Sequence, residues 1–222
     1  MDVNEAIFER CSIRSFRPDP VPKETVLKII EIATHAPSAL NTQPWEIIVV
    51  GGTTLETIRK SYLDRFSNNI TGQPEIKGTN WGQLPSSIQE RIAHMRAERS
   101  KLEGLYPQNP ESMRIHMERG ARLFGAPVVL ILCMNRAFSI FSTFDLGLFS
   151  QSIVLTAQNF GIGSIIASAI VVHPDILRNE LTIPDDLLIV EGIALGYPDD
   201  SIINTFRSLR RPVQEVAVFK GL

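Results

Sequence analysis

The chain lacks most features that would mark a specialised class. Cysteine occurs only as Cys11 and Cys133, far apart and outside any C-x-x-C or Cys/His spacing. That pattern argues against a disulfide scaffold and a zinc site, and suits a reducing, cytoplasmic compartment. The longest apolar run, around residues 126–134, is too short to span a bilayer, so no membrane association is expected. The opening M-D-V-N-E-A has neither a basic region nor an apolar core, so no leader is expected. With 22 Lys and Arg against 24 Asp and Glu, and no basic block interleaved with aromatics, nucleic acid is an unlikely class of partner. Catalytic signatures are missing too: there is no G-x-G-x-x-G at a strand-to-helix turn, no G-x-x-x-x-G-K-[ST], no H-E-x-x-H and no G-x-S-x-G. His35, His94, His116 and His173 have no carboxylate or cysteine partner nearby in sequence, so no metal ligand or general base is assigned among them. A chain without a side-chain nucleophile, acid–base pair or metal set suits an enzyme whose cofactor carries the chemistry.

What is present is the raw material of one substantial core: 44% of the 222 residues are hydrophobic. A single domain over 1–222 is expected. Val26, Ile29, Ile30 and Ala33 recur at helical spacing after Pro22, predicting an amphipathic helix over 23–35 that Pro37 ends. Residues 45–50, 127–134 and 187–195 are rich in β-branched residues and read as buried strands. Residues 53–66 read as helix, 67–85 as a mobile excursion dense in Asn, Gly, Thr, Gln and Pro, and 86–105 and 111–123 as two helices broken by Pro107 to Pro110. Residues 67–122 are therefore read as an insertion, a solvated helical hairpin for most of its residues or a helical lid over a site. Residues 145–160 are apolar on most sides, which predicts a central or interfacial helix. A helix restarts at His173-Pro174-Asp175.

Three clusters carry chemistry. A-P-S-A-L-N-T-Q-P-W at 36–45 sets short hydrogen-bonding side chains between Pro37 and Pro44, a rigid polar loop suited to a planar polar ligand or to satisfying its own backbone. Arg10, Ser12 and Arg14 alternate, so an extended backbone would point two guanidinium groups and a hydroxyl the same way, as a phosphate requires. Arg207, Ser208, Arg210 and Arg211 form a second basic, hydroxyl-bearing cluster, and the two chain regions could meet at one anion.

The ordered set resembles the FMN-dependent nitroreductase family. It comprises R-C-S-I-R-S-F from Arg10, the 36–45 loop, F-G-A-P-V-V-L from Phe124, D-L-G from Asp145, G-I-G from Gly161, A-L-G-Y-P from Ala194 and R-R-P-V-Q-E-V from Arg210. The long 67–122 excursion, with Asn80-Trp81, looks most like the branch that reduces nitrobenzoate-type aromatics. The resemblance implies an α+β three-layer sandwich with a central mixed, mainly antiparallel sheet flanked by helices, and an intertwined homodimer with FMN at the subunit interface. It implies that Arg10, Cys11, Ser12 and Arg14, with Ser208, Arg210 and Arg211, hold FMN, Arg10 and Arg210 near its phosphate. Pro37, Ser38, Ala39, Asn41 and Gln43 would reach the flavin from the other subunit, and the backbone of Ile166, Ala167, Ser168 and Ala169 would line the ring edge.

This chain departs from the family pattern in places. Cys11 stands where a basic residue is common, Ser168 and Ala169 where Glu-Gly or Gly-Gly is common, and Ser208 where lysine is common. Lys60, Arg65 and Lys77 remain open as the basic residue near flavin N1 and O2. The implied activity is NADH or NADPH oxidation with reduction of a nitroaromatic or quinone, by ping-pong hydride transfer through flavin N5, with no obligate side-chain acid or base. Trp81, Phe141 and Phe144 are read as aromatic lid residues for a flat oxidant, or as core. Reductive dehalogenation, ene reduction or dehydrogenation on the same fold, or a non-catalytic flavin-binding protein, are the alternatives.

Overall fold

The computed structural model describes residues 2–103 and 110–221. Its centre is a four-stranded sheet in the order β1-β2-β4-β3, with β1 at Glu46–Gly51, β2 at Val128–Asn135, β3 at Gly163–Ile166 and β4 at Leu187–Gly196. All named strands pair antiparallel, and a parallel pairing comes from the single bridge Ser12 to Ser164. The helices are α1 (Val3–Glu9), α2 (Lys23–Ala33), α3 (Gly52–Ser67), α4 (Ser86–Leu102), α5 (Pro110–Ala121), α6 (Ser142–Asn159) and α7 (Pro174–Leu181).

Strand β2 shows why three layers form. Its side chains alternate, Val129, Ile131 and Cys133 facing one core and Val128, Leu130, Leu132 and Met134 the other. The first core is closed by Leu55, Ile58 and Tyr62 of α3 and Ile176 and Leu177 of α7, the second by Val26 and Ile29 of α2 and Leu146, Phe149 and Ile153 of α6. A strand covered on both faces reads as a continuous apolar run, which is why β2 was visible in sequence. Each large side chain withdrawn completely from water, such as Phe149 or Ile29, contributes about 1.5–3 kcal/mol.

The 67–85 excursion has little regular structure, apart from a 3-10 turn at Trp81–Gln83, yet it is pinned in the middle. The Glu75 carboxylate accepts from Arg136 Nη2 (2.6 Å), Arg178 Nε (2.8 Å) and the Ile189 amide (3.1 Å), tying the excursion to β4 and α7. The expected end of the first insertion helix at Leu105 and the break at residues 107–109 lie outside the described residues. Helix α1 and strand β3 were not predicted. The signal for α1 was readable: Asp2 and Glu5 form a capping box, with Glu5 N donating to Asp2 Oδ1 at 2.8 Å.

Candidate functional site

The two arginine-bearing regions meet. Arg10, Cys11, Ser12 and Arg14 from the segment after α1, and Phe206, Arg207, Ser208 and Arg210 from the segment after β4, line one cavity of about 540 Å³. That size suits a cofactor fragment. What holds the segments together is Asn204, a residue absent from the sequence reading. Its Oδ1 accepts from the Arg14 amide (2.8 Å) and the Ser15 amide (3.3 Å), and its Nδ2 donates to the Ser15 carbonyl (2.8 Å) and to Asp199 Oδ1 (3.0 Å). Ser15 Oγ closes the clamp on Asp199 Oδ2 at 2.5 Å. Nothing local in the sequence marks Asn204, because its partners Arg14 and Ser15 are about 190 positions away.

Within the cavity Arg14 Nη1 donates to the Ser12 carbonyl at 3.0 Å, and its guanidinium lies over the Phe206 ring, 5.7 Å from the centroid. Burial, helped by nearby Arg99, lowers its pKa to about 10, still cationic at neutral pH. Arg210 is folded onto Ser208, donating to its carbonyl (2.9 Å) and Oγ (2.6 Å), and is exposed enough to turn outward. Arg211 does not line this cavity: it donates to the Glu215 carbonyl and lines an adjoining cavity of about 830 Å³ between α4 and the C-terminal segment, which Phe206, Arg207, Ser208 and Arg210 also border.

Residues 166–169 do not line the arginine cavity; they run from the end of β3, with which the segment bearing Ser12 pairs. Ile13 N donates to the Ser164 carbonyl at 2.9 Å, and the parallel Ser12 to Ser164 bridge sets Arg14 level with Ile166. Beyond Ile166 the chain makes a 3-10 turn, Ser168–Val171, whose first internal bond runs from Ile170 N to the Ala167 carbonyl. The Ser168 and Ala169 amides precede that bond, so the turn does not consume them. The turn is held from below by Tyr62, whose buried hydroxyl donates to the Ile170 carbonyl at 2.7 Å. Gly192 of β4 lets Ile170 lie against the sheet, since a Cβ there would overlap the Ile170 side chain.

The 36–45 loop sits elsewhere, on the N-terminal end of α6. Trp45 stacks on Phe149 with centroids 4.7 Å apart, and the Ala39 amide donates to buried Asp145 Oδ2 at 3.3 Å. Leu40, Asn41 and Gln43 hold positive φ angles of 52°, 57° and 46°. Non-glycine residues in that region cost on the order of 1 kcal/mol each and cluster at functional sites. Ser38 Oγ accepts from Gln43 N (3.0 Å) and Gln43 Nε2 donates to the Asn41 carbonyl (3.3 Å), so the loop is internally braced while Asn41 and Gln43 face outward. Pro37, Ser38, Ala39, Asn41 and Gln43 do not line the arginine cavity of their own chain. Phe141 and Phe144, 85% and 69% exposed, stand at the same end of α6 as this loop, which removes them from the core; Trp81 is 58% exposed.

Of the basic residues left open, Arg65 pairs with Asp175 (2.6 Å) and neither Lys60 nor Lys77 lines the arginine cavity. His116, read in sequence as having no partner, has its Nε2 3.9 Å from Glu103 Oε2. Among the described residues no group of His, Cys, Asp or Glu is arranged to hold a metal ion, and no helix is long and apolar enough to cross a membrane.

Comparison with known proteins places the chain in a family. Residues 7–197 match the model of the nitroreductase family. The chloronitrobenzene nitroreductase of Comamonas testosteroni is 30% identical over 222 residues, covering 98% of this chain and 96% of that one. The FMN and NADPH-dependent nitroreductase NfnB from Sphigopyxis sp. strain HMH superposes with a TM-score of 0.93 at 27% identity over the full length of both chains. The FMN-dependent nitroreductase NfnB from Mycobacterium smegmatis, solved with NADPH, gives 0.90 at 27% identity, covering 98% of this chain and 97% of that one. On the match of fold, motifs and sequence over nearly its whole length, the chain belongs to the nitroreductase family.

Proposed function

We propose that this protein is an FMN-dependent NAD(P)H oxidoreductase that reduces nitroaromatic or quinone-type acceptors as a homodimer, with FMN at the subunit interface. The observation that carries the reading is the convergence of Arg10, Ser12 and Arg14 with Arg207, Ser208 and Arg210 on one cavity in a chain of this family. Guanidinium forks and serine hydroxyls are the donor set that a phosphate monoester needs, so these residues fit FMN. Bound FMN would supply two-electron transfer between a nicotinamide donor and the oxidant.

This chain's part is to bind and orient. Arg10, Arg14 and Arg210 would hold the phosphate, with Arg210 leaving Ser208 to do so. The Ser168 and Ala169 amides are free to donate to a ring edge, and the 3-10 turn bearing them is braced by Tyr62. The dimer is supported by what one chain leaves uncovered: Val3, Ile7 and Phe8 on α1 and Leu209, Val218 and Phe219 on the C-terminal segment are at least half exposed. It is supported too by the 36–45 loop, braced in shape yet turned away from its own arginine cavity, as a loop serving a neighbour's site would be. Exposed Phe141 and Phe144 beside that loop offer flat apolar surface to an aromatic oxidant.

Purified protein should show a flavin absorbance spectrum, behave as a dimer on light scattering, and oxidise NADH or NADPH with nitrobenzoate or a quinone in ping-pong fashion. Stoichiometric flavin without turnover on any nitroaromatic or quinone would overturn the activity. A monomeric variant that kept its flavin would overturn the shared site.

A further inference from the structure

Of the arginines in the C-terminal cluster, Arg211 does not line the anion cavity. It lines the neighbouring cavity of about 830 Å³, and the two cavities share Phe206, Arg207, Ser208 and Arg210 as a common wall. A molecule seated in the larger cavity would lie beside whatever occupies the smaller one. Its volume falls in the range of small-molecule sites.

The opposite wall is one face of α4. Glu90, Arg91, His94, Met95, Glu98 and Leu102 recur at helical spacing along that face and all border the cavity. Among the described residues α4 buries only Ser100 completely, so this face is not taken up by the core. The charges on the two walls do not cancel. Arg91, Arg207, Arg210 and Arg211 face Glu90, Glu98 and Glu215, and Glu98 is already paired with Lys101 at 2.8 Å. Arg91 makes no hydrogen bond or ion pair among the described residues, and Arg211 commits only Nη2, to the Glu215 carbonyl at 3.1 Å. Both guanidinium groups therefore have donors to give a ligand. Met95, Leu102, Phe206 and Leu209 add apolar surface for a flat ring, and Glu90 and Glu215 add acceptors for an amino group or ribose hydroxyls.

Guanidinium forks, an apolar wall and carboxylate acceptors together match the adenosine phosphate half of a nicotinamide dinucleotide. We propose that this cavity is the subsite for that half of the electron donor, with Arg91 and Arg211 holding its phosphate groups. This rests on the reading above that NADH or NADPH is the donor. Both arginines are exposed, so their grip is weak enough to release the oxidised nucleotide, as a ping-pong exchange requires.

The test compares NADPH, NADH and reduced nicotinamide mononucleotide, which lacks the adenosine phosphate half, as donors to the flavin-loaded full chain. Arg91→Gln and Arg211→Gln should each lower kcat/KM for NADPH about tenfold, keep the saturating rate within about twofold, and leave the mononucleotide within about twofold. Adenosine 2′,5′-bisphosphate, which carries no nicotinamide, should bind the wild type in calorimetric titration and bind each variant about tenfold more weakly. Arg91→Lys, which keeps the charge, should stay within about threefold of wild type. A loss confined to NADPH would assign the arginines to the 2′-phosphate, and an equal loss with NADH to the diphosphate; either supports the subsite. Unchanged kcat/KM for both dinucleotides, or an equal loss with the mononucleotide, would overturn it. Wild-type flavoprotein that none of the three donors reduces would instead overturn the donor reading itself.

Discussion

Replacing Asn204 by alanine should loosen the whole anion site without touching any of its arginines. The substitution removes the acceptor of the Arg14 and Ser15 amides and the donor to the Ser15 carbonyl and to Asp199. A polar group left without a partner costs about 1–3 kcal/mol when buried. Asn204 itself is 8% exposed but its partners are only partly buried, so water can reach them and the low end applies to each. About 4 kcal/mol in total is expected, and for a chain of this size each kcal/mol lowers Tm by about 2–4 °C, giving a loss of about 8–16 °C. Asn204→Asp keeps the acceptor but sets a carboxylate against Asp199, and should cost at least as much. Thermal melts followed by circular dichroism, with and without FMN, measure both, and the FMN-dependent gain in Tm should shrink in each variant. A melt for Asn204→Ala within about 2 °C of wild type would refute the clamp.

Tyr62→Phe removes the donor to the buried Ile170 carbonyl and should cost about 1–2 kcal/mol in urea unfolding, with no cavity to confuse the reading. Glu75→Ala leaves Arg136, Arg178 and the Ile189 amide without their shared acceptor; a loss of about 2–3 kcal/mol and faster tryptic cleavage within 67–85 are expected. His116 has a folded pKa depressed from 6.5 to about 4, so the folded state prefers the neutral ring. Its contribution is complete above pH 6.5 and is lost as pH falls from there towards 4, by up to about 3 kcal/mol. Between pH 7.5 and 5, wild type should therefore lose more stability in urea melts than His116→Gln.

Much of the frame was legible because it rests on local periodicity. Val26, Ile29, Ile30 and Ala33 set α2, and the unbroken apolar run of β2 reported a strand covered on both faces. Strand β3 escaped because its four residues, Gly163–Ile166, include a glycine and a serine and earn their place by pairing with β4 and with Ser12. The meeting of the Arg10 and Arg210 regions was inferred from matching chemistry, but the part that joins them, Asn204, has no local signature. The same limit hid the approach of His116 to Glu103, since helix order in an insertion says little about which faces meet. Positive φ at Leu40 was equally invisible, because nothing about leucine invites it.

The anion cavity joins residues 10–14 to residues 204–210, segments whose hydrogen bonds span a sequence separation of 190. Closing so long a loop carries an entropic cost that must be met by the rest of the fold, so the two arms come together late. During synthesis, Arg10 and Arg14 leave the ribosome about 190 residues before their counterparts. A nascent chain arrested before Asn204 would lack the clamp and the 206–210 wall of the cavity together, so the site cannot be assembled piecemeal from its N-terminal arm.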